Sequence, residues 1–166
     1  MFAQRSLFLY GFILCVALIA TALYFQHVMG LEPCPLCIFQ RIFIIALGAV
    51  MLAGAIHDPR TGWRRVYGAI TILIAALGIV VAGRHVWLQH LPADQVPECG
   101  PGLEYMLEAF PLNEAMQMVF KGSGECAEVQ WVFLGLSIPE WTLLVFCGVA
   151  AFGLWLLVGR PRVARA

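Results

Sequence analysis

The amino-acid sequence predicts an all-α membrane protein, a four-helix transmembrane bundle with one long loop that carries short amphipathic helices. Hydrophobic residues make up 61% of the 166 residues and charged residues only 12%, whereas soluble domains have about 45–50% and about 25%. A helix needs about 20 apolar residues to cross a bilayer. Stretches of roughly this length cover residues 7–25, 38–56, 66–82 and 141–158. We expect these spans to form a single membrane domain over residues 1–166.

The first predicted span also has a feature of signal peptides, because Ala20-Thr21-Ala22 resembles a small-residue cleavage site. The apolar core of a signal peptide has only about 7–15 residues, and the run here is longer. We expect no mature soluble domain to follow it. We therefore interpret residues 7–25 as a retained membrane helix.

A cysteine pair stands where the second predicted span begins. Cys34 and Cys37 are separated by Pro35 and Leu36. Proline suits the first position of a helix, so the motif predicts Cys34 as the N-cap and Cys37 in the first turn. A thiolate on Cys37 would face unpaired N–H groups at the positive end of the helix. Arg41 follows one turn later on the same face, and these features together favour a reactive thiolate.

The third predicted span, residues 66–82, is the shortest of the four. It extends to Leu88 if Arg84 and His85 lie at the membrane interface or face the interior of the bundle. Such an extension brings His85 to the surface at which the cysteine pair is expected. A lone histidine there is a weak signal, because interfacial histidines are commonly solvated or packed.

The loop of residues 89–139 is far longer than the roughly 2–8 residues that commonly connect two helices of a bundle. Apolar residues recur at helical spacing over residues 103–110 and again over 112–119, which predicts two short amphipathic helices. Cys99 and Cys126 bracket this helical segment. A loop of this length that carries two cysteines is expected to have a function beyond connecting two spans.

Charge is distributed unevenly between the two sides of a four-span topology. The arginines on one side are Arg5, Arg60, Arg64, Arg65, Arg160, Arg162 and Arg165. Every acidic residue except Asp58 lies on the opposite side. Positive residues favour the cytoplasmic side, so we expect both termini inside and the loops of residues 26–36 and 89–139 outside. The outer compartment permits disulfides. The two cysteines within spans, Cys15 and Cys147, are expected to be structural.

Two cysteine pairs on one side of a membrane predict a thiol–disulfide relay, because exchange proceeds from pair to pair through mixed disulfides. Four cysteines permit three pairings, so the connectivity stays open. A chain of apolar helices without a metal-ligand or nucleotide motif would use a lipid-soluble electron acceptor, and a membrane quinone fits. Arg41 would stabilise the Cys37 thiolate and a developing quinol oxyanion. His85 would form a hydrogen bond with a quinone carbonyl or supply a proton.

The chain resembles the bacterial inner-membrane disulfide bond formation protein B family over nearly its whole length. The motifs that carry the resemblance are Cys34-Pro35-Leu36-Cys37 with Arg41, His85-x-x-Leu88-Gln89-x-x-Pro92, Cys99-Gly100-Pro101-Gly102-Leu103, Cys126-Ala127-Glu128-Val129-Gln130-Trp131 and Phe133-Leu134-Gly135-Leu136. The resemblance implies a protein-disulfide:quinone oxidoreductase of the inner membrane with periplasmic cysteine loops. Its implied partners are a periplasmic thiol oxidase of the protein A type and the membrane quinone pool, with no nucleic acid.

The same resemblance implies an order of events. Reduced protein A would attack a Cys99–Cys126 disulfide and form a mixed disulfide at Cys99. Cys126 would then attack Cys34 and release Cys37 as the thiolate that reacts with ubiquinone, or with menaquinone when oxygen is absent. The residues implied on the quinone side are Arg41 and His85.

Three alternatives remain open at the level of sequence. A related four-helix thiol–quinone enzyme of the vitamin K epoxide reductase type would usually carry its outer cysteines in the first loop. A metal-binding membrane protein could use the four cysteines, since thiolates bind soft cations. However, Cys99 and Cys126 are too far apart for a usual zinc knuckle, and we expect no metal site. A non-enzymatic scaffold would hold two inert disulfides.

Overall fold

The computed structural model describes residues 2–59, 61–92, 94–96 and 124–159, together with positions 110, 111, 113, 114, 117, 119 and 122. Its long helices are α1 (Phe2–His27), α2 (Pro35–His57), α3 (Thr61–Gln89) and α5 (Ile138–Val158). Each is long and apolar enough to cross a membrane. The predicted all-α membrane fold with four spanning helices is therefore confirmed.

The helices pack as two pairs, α1 against α2 and α3 against α5, and contacts between α2 and α3 join the pairs. The α3–α5 contact is close because glycines face each other across it. A Cβ atom on Gly68 would lie 2.8 Å from the carbonyl oxygen of Gly153. Small residues allow membrane helices to approach in this way, where apolar surfaces gain little from leaving lipid.

Among the residues that the structure describes, the buried core forms three clusters along the bundle. At one end, Phe8, Met51, Ala55 and Leu156 pack together. A middle cluster surrounds Phe146. The cluster at the other end consists of Cys34, Leu36, Val81, Leu88, Val119 and Cys126. Two of the predicted functional cysteines are thus part of the hydrophobic core.

Helix α2 begins as the sequence predicts. Cys34 is the N-cap, with extended backbone angles, and Pro35 occupies the first helical position. Cys37 consequently lies in the first turn. Because proline fixes this helix start, the two cysteines are held on a rigid element rather than on a free loop.

Helix α3 is longer than the predicted span of residues 66–82 and continues to Gln89. Its last turns accommodate two polar side chains. The guanidinium carbon of Arg84 lies 4.1 Å from the centre of the Trp87 ring, and His85 faces the interior with 3% of its surface exposed. Of the two arrangements considered for an extended helix, the structure has His85 inside the bundle.

Between α3 and α5, the described residues include a one-turn helix, α4 (Gly124–Ala127), and a small antiparallel hairpin. The hairpin consists of β1 (Val132–Phe133) and β2 (Leu136–Ser137), joined by Leu134 at φ 52° and Gly135 at φ 81°. Left-handed angles at both central residues match the tight turns that suit a twisted hairpin. The sequence did not predict this hairpin.

Most of the two predicted amphipathic helices lies outside the described residues. Positions 113, 114, 117 and 119 have helical backbone, and position 110 is a bend. At the end of the loop, the Ser137 N–H donates to Glu140 Oε2 across 2.6 Å and the Ser137 hydroxyl donates to Gln89 Oε1 across 2.7 Å. The first bond caps α5, and the second fixes its start against the end of α3.

Candidate functional site

The structure brings Cys34, Cys37 and His85 together at one end of the bundle. The Cys34 thiol donates to Cys37 Sγ across 3.3 Å. On the facing helix, His85 Nε2 lies 3.8 Å from Cys34 Sγ and His85 Nδ1 lies 3.9 Å from Cys37 Sγ. Cys34 and His85 are buried, whereas Cys37 is half-buried. One imidazole ring therefore contacts both sulfurs.

A residue that sequence reasoning missed, Gln40, completes this cluster. Its side-chain amide nitrogen lies 3.1 Å from His85 Nδ1, and only 3% of its surface is exposed. With the amide nitrogen as donor, Nδ1 accepts and the ring proton resides on Nε2, facing Cys34. The available signal was the position of Gln40, a polar residue in an apolar span one helical turn after Cys37.

Arg41 is anchored to the neighbouring helix α1 rather than to the cysteines. Its Nη1 donates a short hydrogen bond to Gln26 Oε1, and its Nη2 donates to the carbonyl oxygen of Ala22 across 3.2 Å. Gln26 was not predicted as a site residue. These two bonds hold the guanidinium on the wall of a cavity that Cys37 also lines.

That cavity has a volume of about 330 Å³ and lies between α1, α2, α5 and the hairpin. Its walls are mostly apolar, and the polar groups among them include Arg41, Gln40 and Gln130. Small-molecule sites typically combine an apolar cavity of about 300–1,000 Å³ with a few placed polar groups. Cys37 therefore faces two environments, the thiol–imidazole cluster and an apolar cavity.

Aromatic rings form the cavity wall nearest the hairpin. The ring centres of Trp131 and Phe25 lie 4.9 Å apart, and Trp131 stacks on Phe133 at 5.7 Å with an 11° angle between the planes. Trp141 Nε1–H donates to the Phe133 carbonyl oxygen across 3.1 Å. Trp131, Phe133 and Trp141 thus line the same cavity as Cys37.

Of the two outer cysteines, Cys126 lies among the described residues and Cys99 does not. Cys126, on α4, is completely buried in the same core cluster as Cys34. Cys99 lies outside the described residues, so the predicted Cys99–Cys126 pair stays a prediction. Cys15 packs in the middle cluster, and Cys147 is exposed on the outside of α5.

Comparison with known proteins finds relatives along almost the whole chain. Residues 4–156 match the family described as Disulfide bond formation protein DsbB. Disulfide bond formation protein B of Nitrosococcus oceani is 54% identical over 151 residues, which cover 91% of this chain and 89% of that protein. The protein of the same name from Stutzerimonas stutzeri is 55% identical over 158 residues, 95% of this chain and 97% of that protein.

A third relative, disulfide bond formation protein B 1 of Pseudomonas aeruginosa, is 48% identical over 152 residues, 92% of this chain and 93% of that protein. These matches confirm the resemblance that the cysteine motifs predicted. They also fit a disulfide-forming oxidoreductase in a membrane with four spanning helices. The chain therefore belongs to the DsbB family of disulfide bond formation proteins.

Proposed function

We propose that the protein is a protein-disulfide:quinone oxidoreductase, which reoxidises a periplasmic thiol oxidase of the protein A type and passes the electrons to membrane quinone. The position of Cys37 carries this proposal. Its sulfur contacts Cys34 on one side, and on the other it lines an apolar cavity that also contains Arg41. A thiol that joins a disulfide-exchange centre to a lipophilic cavity suits transfer between protein thiols and a lipid-soluble acceptor.

The cavity suits ubiquinone, or menaquinone in the absence of oxygen, in size, polarity and shape. Its volume of about 330 Å³, its apolar lining and the stacked rings of Trp131 and Phe133 match a flat, uncharged ring. A bound quinone supplies an acceptor for two electrons and two protons. Cys37 and Arg41 would hold its head group, with Gln40 as a further polar group in the cavity wall.

The residues around Cys37 would stabilise it as a thiolate. Cys37 lies in the first turn of α2, where unpaired N–H groups and the helix dipole favour a negative charge. The Cys34 thiol donates to its sulfur. Arg41 adds a fixed positive charge on the wall of the same cavity, because Gln26 and Ala22 hold its guanidinium in place.

His85 would move protons between the two sulfurs. Its Nε2 faces Cys34 and its Nδ1 faces Cys37. Gln40 bonds to Nδ1 and thereby favours the tautomer with the proton on Nε2, where it can be given to a Cys34 thiolate. In this role His85 accepts and returns protons as each sulfur becomes a thiolate or a thiol, and the ring itself is unchanged after each cycle.

The outer pair would connect this centre to the partner. A thiol of the partner attacks the Cys99–Cys126 disulfide and forms a mixed disulfide at Cys99, which releases the Cys126 thiolate. Cys126 then attacks Cys34 and breaks the Cys34–Cys37 disulfide, which releases the Cys37 thiolate. The partner's second thiol frees Cys99, and Cys99 displaces Cys34 from Cys126, so that two electrons and two protons have passed from the partner dithiol to the Cys34/Cys37 pair. The burial of Cys126 in one cluster with Cys34 supports such an exchange. A protein A-type oxidant has a potential of about −120 mV, far above most structural disulfides, so coupling to quinone is needed to reoxidise it.

We place the protein in the bacterial inner membrane with both termini in the cytoplasm and the cysteine loops in the periplasm. The arginine distribution supports this orientation. Arg64, on the side predicted to be cytoplasmic, lies near the opposite end of the bundle from the cysteines, with its guanidinium carbon 5.6 Å from the centre of the Trp155 ring.

An anaerobic experiment tests the proposal. Dithiol-reduced, detergent-purified protein is mixed with ubiquinone, and quinone absorbance is followed alongside alkylation of the cysteines. We expect quinone loss to match disulfide formation in the wild type and in Cys147→Ala, whose thiol lies on the outside of α5. Cys37→Ala should consume no quinone. Unchanged quinone with intact thiols in the wild type would refute the proposed function.

A further inference from the structure

We propose that the reduced protein binds a borderline or soft d¹⁰ cation, with Zn²⁺ as the representative, through Cys34, Cys37 and His85. One ligand atom from each residue lies within 4.8 Å of the other two. This inference goes beyond the proposed function, since it requires only reduced thiols and no quinone. It also differs from the metal site weighed from sequence, which used the four loop cysteines and no histidine.

Two of the three distances between ligand atoms are close to those of a tetrahedral zinc site. With Zn–S of about 2.3 Å and Zn–N of about 2.0–2.1 Å, tetrahedral angles place two sulfurs about 3.8 Å apart and a sulfur and a nitrogen about 3.6 Å apart. The structure has 3.3 Å between the two sulfurs and 3.8 Å between Cys34 Sγ and His85 Nε2. These two distances need shifts of a few tenths of an ångström. Cys37 Sγ must also move toward Nε2, because its 3.9 Å contact is with Nδ1 and the three ligand atoms are held only within 4.8 Å of one another.

A partner that orients the histidine is already present. A ligating imidazole almost always donates its other N–H to an acceptor, which fixes the ring. When His85 binds the metal through Nε2, its Nδ1 carries the proton. Gln40 lies 3.1 Å from Nδ1 and can present its side-chain oxygen there by a half-turn of its amide.

Charge balance favours the site in its buried surroundings. Two thiolates and a neutral imidazole around a divalent cation have no net charge, which limits the cost of burial. A small cavity of about 30 Å³ adjoins Cys34, Cys37 and His85 and is also lined by Gln89 and Glu128. It has room for one water as the fourth ligand.

Binding would be linked to the redox state of the protein. Zn²⁺ displaces two thiol protons and moves no electrons, so the products are a bis-thiolate complex and two protons. A Cys34–Cys37 disulfide removes two of the three ligands. The ion would therefore bind only the reduced form and hold both sulfurs, which blocks their oxidation.

Metal binding by the full-length chain tests this inference without a quinone assay. Anaerobically reduced protein in detergent is titrated with Zn²⁺ against a chromophoric chelator, and with Cd²⁺ to follow thiolate-to-metal absorbance. We expect one equivalent to bind the reduced form and none to bind the oxidised form. Affinity should fall at least tenfold in Cys34→Ser, Cys37→Ser and His85→Gln.

Two further variants make the assignment specific. Gln40→Leu should weaken binding about 10- to 100-fold, as expected for a residue that orients a ligand. Cys147→Ser, on the outside of α5, should retain binding. Circular dichroism checks that each variant keeps its helices. Absence of saturable binding, full affinity in His85→Gln, or equal loss in Cys147→Ser would each overturn the three-residue assignment.

Discussion

Replacing Gln26 by leucine tests whether the fixed position of Arg41 matters for quinone reduction. Gln26 accepts a hydrogen bond from Arg41 Nη1, and leucine removes the acceptor while keeping a similar volume. A hydrogen bond to a charged group contributes about 1.5–3 kcal/mol. The second anchor, from Nη2 to the Ala22 carbonyl oxygen at 3.2 Å, remains. We therefore expect the lower end of this range, which corresponds to a roughly tenfold decrease in kcat/KM for quinone.

The assay separates the two halves of the reaction. Under anaerobic conditions, kcat/KM is measured with ubiquinone varied and then with the reduced thiol partner varied at saturating quinone. Gln26→Leu should lower the first value and leave the second close to wild type. Thr21→Val is the matched control, since Thr21 lines the same cavity but bonds to the Ala17 carbonyl oxygen. An unchanged quinone kcat/KM, or an equal decrease in both values, would refute the positioning role.

Three further predictions concern packing, proton transfer and the start of α5. Gly68→Ala places a Cβ 2.8 Å from the Gly153 carbonyl oxygen and should destabilise the bundle by about 1–3 kcal/mol in detergent unfolding, whereas Gly148→Ala, with no atom within 4 Å, should not. His85→Asn should slow thiol loss after quinone addition about 100-fold, and a wild-type rate would exclude proton transfer by His85. Ser137→Ala removes the hydroxyl bond to α3 and should cost about 1 kcal/mol in the same unfolding assay; unchanged stability would contradict this contribution.

Features fixed by local sequence were predictable. Apolar runs long enough to cross a bilayer gave the four helices, and Pro35 gave the start of α2 with Cys34 as its N-cap. Hydropathy underestimated α3 because Arg84 and His85 interrupt the apolar run. In the structure, the ring of Trp87 covers one of these side chains and the bundle interior encloses the other.

Features that depend on packing between distant segments were not predictable. His85 was a weak candidate because nothing in the sequence indicated that its ring would contact both sulfurs of a motif 48 to 51 residues earlier. Gln40 and Gln26 acquire their roles only when α2 packs against α3 and α1. The hairpin was missed because its strands have two residues each, and its turn uses a left-handed leucine beside Gly135.

The spacing of Cys34 and Cys37 explains how the start of α2 can contribute to both the thiol–imidazole cluster and the apolar cavity. In an α-helix of about 3.6 residues per turn, residues three apart lie on neighbouring parts of one face. Cys34 and Cys37 can therefore contact each other while Cys34 packs into the core with Cys126 and Cys37 borders the cavity. If the two cysteines were two positions apart instead of three, the helix would direct the second sulfur away from the first. The proposed transfer from protein thiols to quinone thus depends on a helical geometry that Pro35 establishes at the first residue of α2.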